Sequence, residues 1–249
     1  MDADVYRRMA EIQDRHWWYE GRRRILATLI KTLPLPADAK IMEAGCGPGA
    51  NLKMLAQFGT VSAFEPDEYA LNYCRVYSGL PTSQIQPGFL PAPIPAAGSF
   101  SAPFDLVGAF DVIEHVQQDQ EALRALFNVT KPGGYALFTV PAFPFLWSQH
   151  DVANHHYRRY VLPEFEKKLR DAGFEITLIS YYNYFLFPLV AAVRFIKKWL
   201  KRDNPDETLP HPLINKILLT IFSVEAQMLG TLPLPFGVSI IAVCQRPTG

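Results

Sequence analysis

The stretch IMEAGCGPGANL, from Ile41 to Leu52, places Gly45, Gly47 and Gly49 directly behind an apolar, strand-like run. A strand that turns through glycines into a helix lets a ligand approach the backbone closely. This fixes one unit of an α/β fold and restricts the ligand to three kinds: a nucleoside triphosphate, a dinucleotide, or a nucleoside without phosphate. A Walker loop needs Lys and then Ser or Thr after its last glycine. Here Ala50 and Asn51 follow Gly49, which removes the triphosphate. The dinucleotide pattern GxGxxG/A fits formally as Gly45, Gly47 and Ala50, and the acidic Glu65 lies at a spacing that suits any adenosine cofactor.

Three features decide between the remaining two. Glu43, two residues before the first glycine, would repel a pyrophosphate but could receive an ammonium group. Pro48 removes one N–H donor from the loop. No second catalytic domain of dehydrogenase size follows within the 249 residues. The ligand is therefore read as a nucleoside carrying an amino acid, S-adenosylmethionine.

The rest of the chain supports an α/β sheet. AKIMEAG, TVSAFEP, FDLVGAF and YALFTVP read as strands, separated by the helices NLKMLAQF, DEYALNYCRVY and DQEALRALFNVT. KPGG reads as a turn after the last of these helices. LPEFEKKLRDAGF is an amphipathic helix stopped at Gly173, and EITLISYYNY and VSIIAVCQR are the final strands. The proline-rich segment PTSQIQPGFLPAPIPAAGSFSAP must be mostly loop. Alternation of strand and helix argues a mainly parallel sheet covered on both faces. One domain is expected: a helical lid over 1–36, a cofactor-binding core over 37–180, a helical cap insertion over 181–232, and the last strand over 233–249.

Composition narrows the function classes. Lys plus Arg and Asp plus Glu both number 24, so there is no basic excess to hold a nucleic acid. The three cysteines, Cys46, Cys74 and Cys244, form no CxxC pair and suit a reducing, cytoplasmic compartment. No signal-peptide core opens the chain. The longest apolar run, Tyr184 to Val193, is about half of the ~20 residues a membrane span needs.

EAGCGPG, FEPD, FDLVGAFDVIEHV and KPGG, in this order, resemble the successive motifs of the class I S-adenosylmethionine-dependent methyltransferases. HWWYEGRRRIL and VPAFPFLWSQHDVANHHYRRY further resemble a bacterial type-11 methyltransferase subgroup, with His155 where that subgroup tends to have glycine. The resemblance implies a Rossmann-like, seven-stranded, mostly parallel sheet with the last strand antiparallel. It implies that Glu65, followed by Pro66, accepts both ribose hydroxyls, and that the backbone of Gly45, Cys46 and Gly47 passes under the methionine part. S-adenosylhomocysteine would be the product. Where the family often has an acidic adenine contact, this chain has PGFLPAP, so Phe89 or Leu90 is expected to cover the ring.

Methyl transfer requires a nucleophile held in line with the methyl carbon, and a base where that nucleophile is a hydroxyl. Phe110 and Asp111 should face the cofactor from the tip of the fourth strand. His115 should follow on the first turn of the next helix, either as a base or as a loop contact. HDVANHHYRRY supplies His150 and His156 as further candidate bases. Arg158, Arg159 and Tyr160 are candidates for gripping the acceptor, or for locking the loop. No metal is expected, since no cysteine joins the histidines. Trp18 and Arg22 could form part of a lid over the acceptor, or cap the core from outside.

YYNYFLFPLVAAVRFIKKWLKR and LINKILLTIFSVEAQML are rich in apolar residues, with a basic end to the first. Such helices can wall a greasy pocket, pair two copies of the chain, or lie at the inner face of a membrane. The expectation is O-methylation of a small or lipophilic, lipid-linked acceptor. The alternatives are a soluble sugar or small molecule as acceptor, and a non-catalytic subunit that binds a partner through these helices.

Overall fold

A computed structural model describes residues 3–91, 103–199, 208–230 and 233–248. The expected alternation becomes one seven-stranded sheet. Its strands are β1 (Lys40–Ala44), β2 (Thr60–Glu65), β3 (Ile85–Pro87), β4 (Phe104–Phe110), β5 (Thr130–Pro141), β6 (Glu175–Tyr182) and β7 (Ser239–Gln245). They lie in the order β3-β2-β1-β4-β5-β7-β6. The first five pair in parallel, and β7 runs antiparallel between β5 and β6. β4 is buried at every position, as an unbroken apolar run in a sheet covered on both faces must be.

Two apolar cores flank the sheet. One gathers Ile25 and Leu26 of α2 (Trp17–Ile30) with Leu52 of the short α3 (Leu52–Leu55) and Leu71 of α4 (Glu68–Tyr77). The other gathers Leu123 and Leu126 of α5 (Asp119–Val129) with Phe165 and Leu169 of α7 (Leu162–Asp171). Local chemistry sets the helix ends. Asp67 caps α4 by accepting from the Ala70 amide at 2.9 Å. Gly173, at φ +107°, stops α7 in a conformation that side chains resist.

Two expectations are corrected. KPGG is not a turn between elements but an excursion inside β5. Thr130 pairs with Phe104 and Tyr135 with Leu106, so the residues between bulge out of register. His115 is not on the next helix. It ends a 3-10 turn over Ile113–His115, and α5 starts later, at Asp119. Residues 92–102 of the proline-rich loop lie outside the described residues, as do Lys201, Arg202 and Thr231 of the cap insertion.

The insertion between β6 and β7 contributes α8 (Phe187–Trp199) and α9 (Pro212–Met228). Its two ends meet where Tyr182 pairs with Ser239, beside Pro141 at the carboxyl end of β5. It therefore leaves and rejoins the sheet at the edge where the parallel strands end. α9 packs on α2 so closely that a Cβ on Gly21 would lie 2.4 Å from the Phe222 ring. Trp18 stacks on that same ring at 5.3 Å. Asn215 of α9 accepts from the Trp17 amide at 2.9 Å and donates to the Arg15 carbonyl at 2.8 Å. The turn between α1 (Ala3–Ile12) and α2 is thereby tied to the insertion.

Candidate active site

The strand order reverses between β1 and β4, and in an open α/β sheet the crevice at that point binds ligands. A cavity of about 610 Å³ opens there. Gly45 and Gly47 bend the chain away from β1 at φ +63° and +54°. A Cβ on Gly45 would sit 2.9 Å from Val112, so this turn admits only glycine.

Glu65 ends β2 beneath that turn. Its Oε2 accepts from the Gly47 amide at 2.7 Å, and its Oε1 from the Asp67 amide and the Tyr6 hydroxyl, both at 3.0 Å. Burial raises its pKa, and those three hydrogen bonds oppose the rise. Glu43 is also buried. Asn51 donates to its Oε1 at 2.7 Å, while Oε2 has no partner. Burial pushes its carboxyl up to about 8, against the Asn51 hydrogen bond and the Arg22 charge. A buried carboxylate with one oxygen unmet suits an incoming ammonium. Phe89, which is exposed, and Leu90 border the same end of the cavity. The cradle therefore fits an adenosine bearing an amino acid.

The far end is built from β4, the loop after β5, and the insertion. Asp111 takes a left-handed φ of +57° and accepts from Thr139 at 3.1 Å and from the buried Arg22 guanidinium. Strained backbone at such a place is tolerated only when the surroundings hold it. His115 and His156 meet edge to face, 4.5 Å between ring centres. Burial, and then the neighbouring His156, lower the His115 pKa to about 3, so that ring is neutral. The Nδ1 of His156 lies 2.9 Å from Oδ1 of Asp151 in α6 (Gln149–Ala153). That carboxylate also accepts from Arg159 at 2.7 Å and from the Ser148 amide at 2.9 Å. Burial alone would raise Asp151, but the hydrogen bond with His156 and the Arg159 charge hold it below the usual carboxylate range.

The cavity gathers Trp18, Arg22, Glu43, Gly45, Cys46, Gly47, Glu65, Pro66, Phe89, Leu90, Phe110, Asp111, His115, His150, His156 and Arg159 from the candidates of the sequence. Three acceptor candidates are reassigned. Arg158 turns away to Asp119 at 2.7 Å and to the Gln117 carbonyl at 2.8 Å. Tyr160 is fully buried with its hydroxyl on Asp119 at 2.9 Å. Arg159 borders the cavity, yet its Nε donates to Asp151 and its Nη1 to the Ala142 carbonyl at 3.0 Å. All three lock the loop instead of gripping an anion. His155 adopts φ +54°, a conformation that glycine reaches most readily, at the position where the type-11 subgroup tends to carry glycine.

Four further cavity residues, which the sequence reading did not single out, bear on the chemistry. Tyr6 and Asn51 touch the two carboxylates from helix and loop positions without a local signal. Glu114, beside His115 in the motif, is fully buried with both oxygens unpartnered, and burial pushes its pKa well up. Asn183, at φ +57°, is buried with both side-chain amide atoms unpartnered. One atom each from Glu114, His115 and His156 lies within 4.8 Å of the others.

Comparison with known proteins fits this geometry. A family model described as a methyltransferase domain matches residues 17–179. A ubiquinone biosynthesis O-methyltransferase from Azoarcus sp. (strain BH72) is 28% identical over 163 residues, covering 59% of this chain and 69% of the relative. A malonyl-[acyl-carrier protein] O-methyltransferase from Enterobacter lignolyticus is 30% identical over 124 residues, 49% of this chain and 47% of the relative. Among solved structures, a TehB-like SAM-dependent methyltransferase from Corynebacterium glutamicum superposes with TM-score 0.55 at 16% identity, covering 98% of this chain and 95% of that one. Phosphoethanolamine N-methyltransferase 2 from Haemonchus contortus, in complex with S-adenosyl-L-methionine, gives TM-score 0.55 at 16% identity over 90% of this chain and 52% of that one.

Proposed function

The chain belongs to the methyltransferase-domain family of S-adenosylmethionine-dependent enzymes, and from that premise we propose that it methylates an oxygen of an acceptor with an apolar body. The observation that carries this reading is continuity. One cavity runs from Glu65 past Glu43 to His156, and continues along Leu186, Leu189 and Val190 at the start of the insertion. The O-methyltransferase relatives support oxygen as the acceptor atom.

S-adenosylmethionine, when bound, supplies a methyl carbon on a sulfonium sulfur and departs as S-adenosylhomocysteine. The residues then have separate tasks. Ionised Glu43 receives the ammonium group. Glu65 accepts the ribose hydroxyls in place of Tyr6, and Phe89 and Leu90 cover the adenine. Asp151 fixes Nδ1 of His156, which leaves Nε2 to take the proton of an acceptor hydroxyl. His115, neutral beside it, keeps a second positive charge out of the site. Asn183 offers its amide to a polar group of the acceptor, and the apolar wall excludes water from the reacting atoms.

The test is formation of S-adenosylhomocysteine and a methyl ether or ester from paired acceptors, alkyl-tailed and tail-less phenols and carboxylic acids. Turnover of the tailed members is expected. Methylation confined to amines would sink the oxygen reading. A second reading rests on the gathering of Glu114, His115 and His156. That donor set suits a divalent cation that would polarise the acceptor oxygen, with His156 as ligand and not base. Activity lost on chelation and restored by one metal would select it.

A further inference from the structure

We propose that Asn183 selects the acceptor: its side-chain amide takes a neutral group that both gives and receives a hydrogen bond, a hydroxyl or a carboxamide, carried on the acceptor's apolar body. The proposal deepens the function given above and rests on the far end of the cavity being the acceptor site.

Asn183 is the first residue after β6, where the insertion leaves the sheet. It borders the cavity together with His156, Leu186 and Ser239. The residue is 1% exposed, and among the described residues neither of its amide atoms has a hydrogen-bond partner. Its backbone holds a left-handed φ of +57°. Asparagine tolerates that region better than most residues, but glycine enters it freely and brings no polar atoms to bury. The backbone alone therefore does not account for an amide here. The turn is also held firmly. Glu225 of α9 is buried and accepts from the Phe185 amide at 3.0 Å. Burial raises its pKa, and hydrogen bonds from the backbone of Tyr184, Phe185 and Asn183 oppose the rise. A carboxyl taken out of water on a second helix thus fixes the turn that carries Asn183. An over-determined backbone outlier with two unmet polar atoms, beside a binding cavity, points to a ligand group as their partner.

An amide offers N–H donors and a carbonyl acceptor in one plane. Only a group with both functions meets both. A hydroxyl and a carboxamide do; an ether, a carboxylate or a bare hydrocarbon leaves at least one atom unmet. A carboxylate would also bring a charge that an amide cannot neutralise. Leu186, Leu189 and Val190 follow on the same wall. Beside apolar surface an unmet polar atom is costly, and that cost makes the residue selective.

The experiment titrates the full chain, saturated with S-adenosylhomocysteine, with alkyl-tailed phenols that differ in one ring substituent: hydroxyl, carboxamide, methoxy, carboxylate or hydrogen. Calorimetry should show the hydroxyl and carboxamide members binding about tenfold or more tightly than the other three. Asn183→Gly keeps the left-handed backbone accessible and should bring the five within about twofold of one another. It should bind S-adenosylhomocysteine as the wild type does, which shows that it folds. Equal affinities across the wild-type series overturn the proposal. So do a preference for methoxy or carboxylate, no binding by any member, and a variant that keeps the preference. The same series with S-adenosylmethionine separates this claim from the oxygen reading: selective binding with no methyl ether formed leaves Asn183 its role and removes oxygen as the acceptor atom.

Discussion

The hydroxyl of Tyr6 donates to Oε1 of Glu65 at 3.0 Å, joining the N-terminal helix to the carboxylate that serves the ribose. A ribose hydroxyl and the phenol compete for one acceptor. Tyr6→Phe removes the competitor. A hydrogen bond to a charged group is worth about 1.5–3 kcal/mol, so S-adenosylmethionine should bind the variant about tenfold more tightly by calorimetry. Weaker binding would mean that the phenol joins the ribose contacts.

Glu43 makes cofactor affinity depend on pH. Its carboxyl is pushed up to about 8 by burial, so near pH 6 it is protonated. An ammonium group requires the ionised form, and binding then releases a proton. Affinity should rise between pH 6 and 8, by up to about tenfold per pH unit, and level off above. Glu43→Gln should bind less tightly at pH 8 and should show a slope shallower by about one proton. An unchanged slope would remove the assignment.

The pairing of His156 with Asp151 separates chemistry from binding. His156→Ala should lower kcat by about 10²- to 10⁴-fold and leave the affinity for S-adenosylmethionine unchanged. Asp151→Asn should lower kcat as well, and it should also unfold at lower temperature, because Arg159 is left buried beside a neutral amide. Asp151 titrates below its ordinary value of 3.8. Its contribution to stability is therefore present above that value and is lost as the pH falls toward the lower, folded pKa. The melting temperatures of wild type and Asp151→Asn should converge in acid.

Gly21 tests the seat of the insertion. Alanine is ordinarily the better helix former by about 1 kcal/mol. Here its methyl would lie 2.4 Å from a Phe222 ring already stacked against Trp18. Overpacking of this kind costs about 1–3 kcal/mol, so Gly21→Ala should melt several degrees lower. Phe222→Leu in the same chain should restore part of the loss. A rise in melting temperature would show that the ring yields.

What was legible in the sequence was local. The glycine turn, Glu43, Glu65 and the alternation of strand and helix each announce themselves within a few residues. Backbone geometry and burial period are short-range properties. The acceptor end is assembled by distant choices that spacing does not encode. The run Arg158, Arg159, Tyr160 reads as an anion grip, yet Asp119 and Asp151 claim all three. KPGG reads as a turn, yet the pairing of β5 with Phe104 and Leu106 absorbs it as a bulge. Tyr6 and Asn183 carry no pattern; only the folded chain puts them at the cavity.

The insertion that holds α8 and α9 begins after Tyr182 and ends at Ser239, two residues that pair with each other. Its ends stay at neighbouring positions whatever lies between them. Each doubling of such a connection costs only about 0.6 kcal/mol in closure entropy. The segment is thus an exchangeable cassette over a fixed cofactor seat. A relative's β6–β7 connection placed here should carry its acceptor preference with it, provided that its second helix keeps the contacts that Phe222 and Asn215 make with α2 and the turn before it.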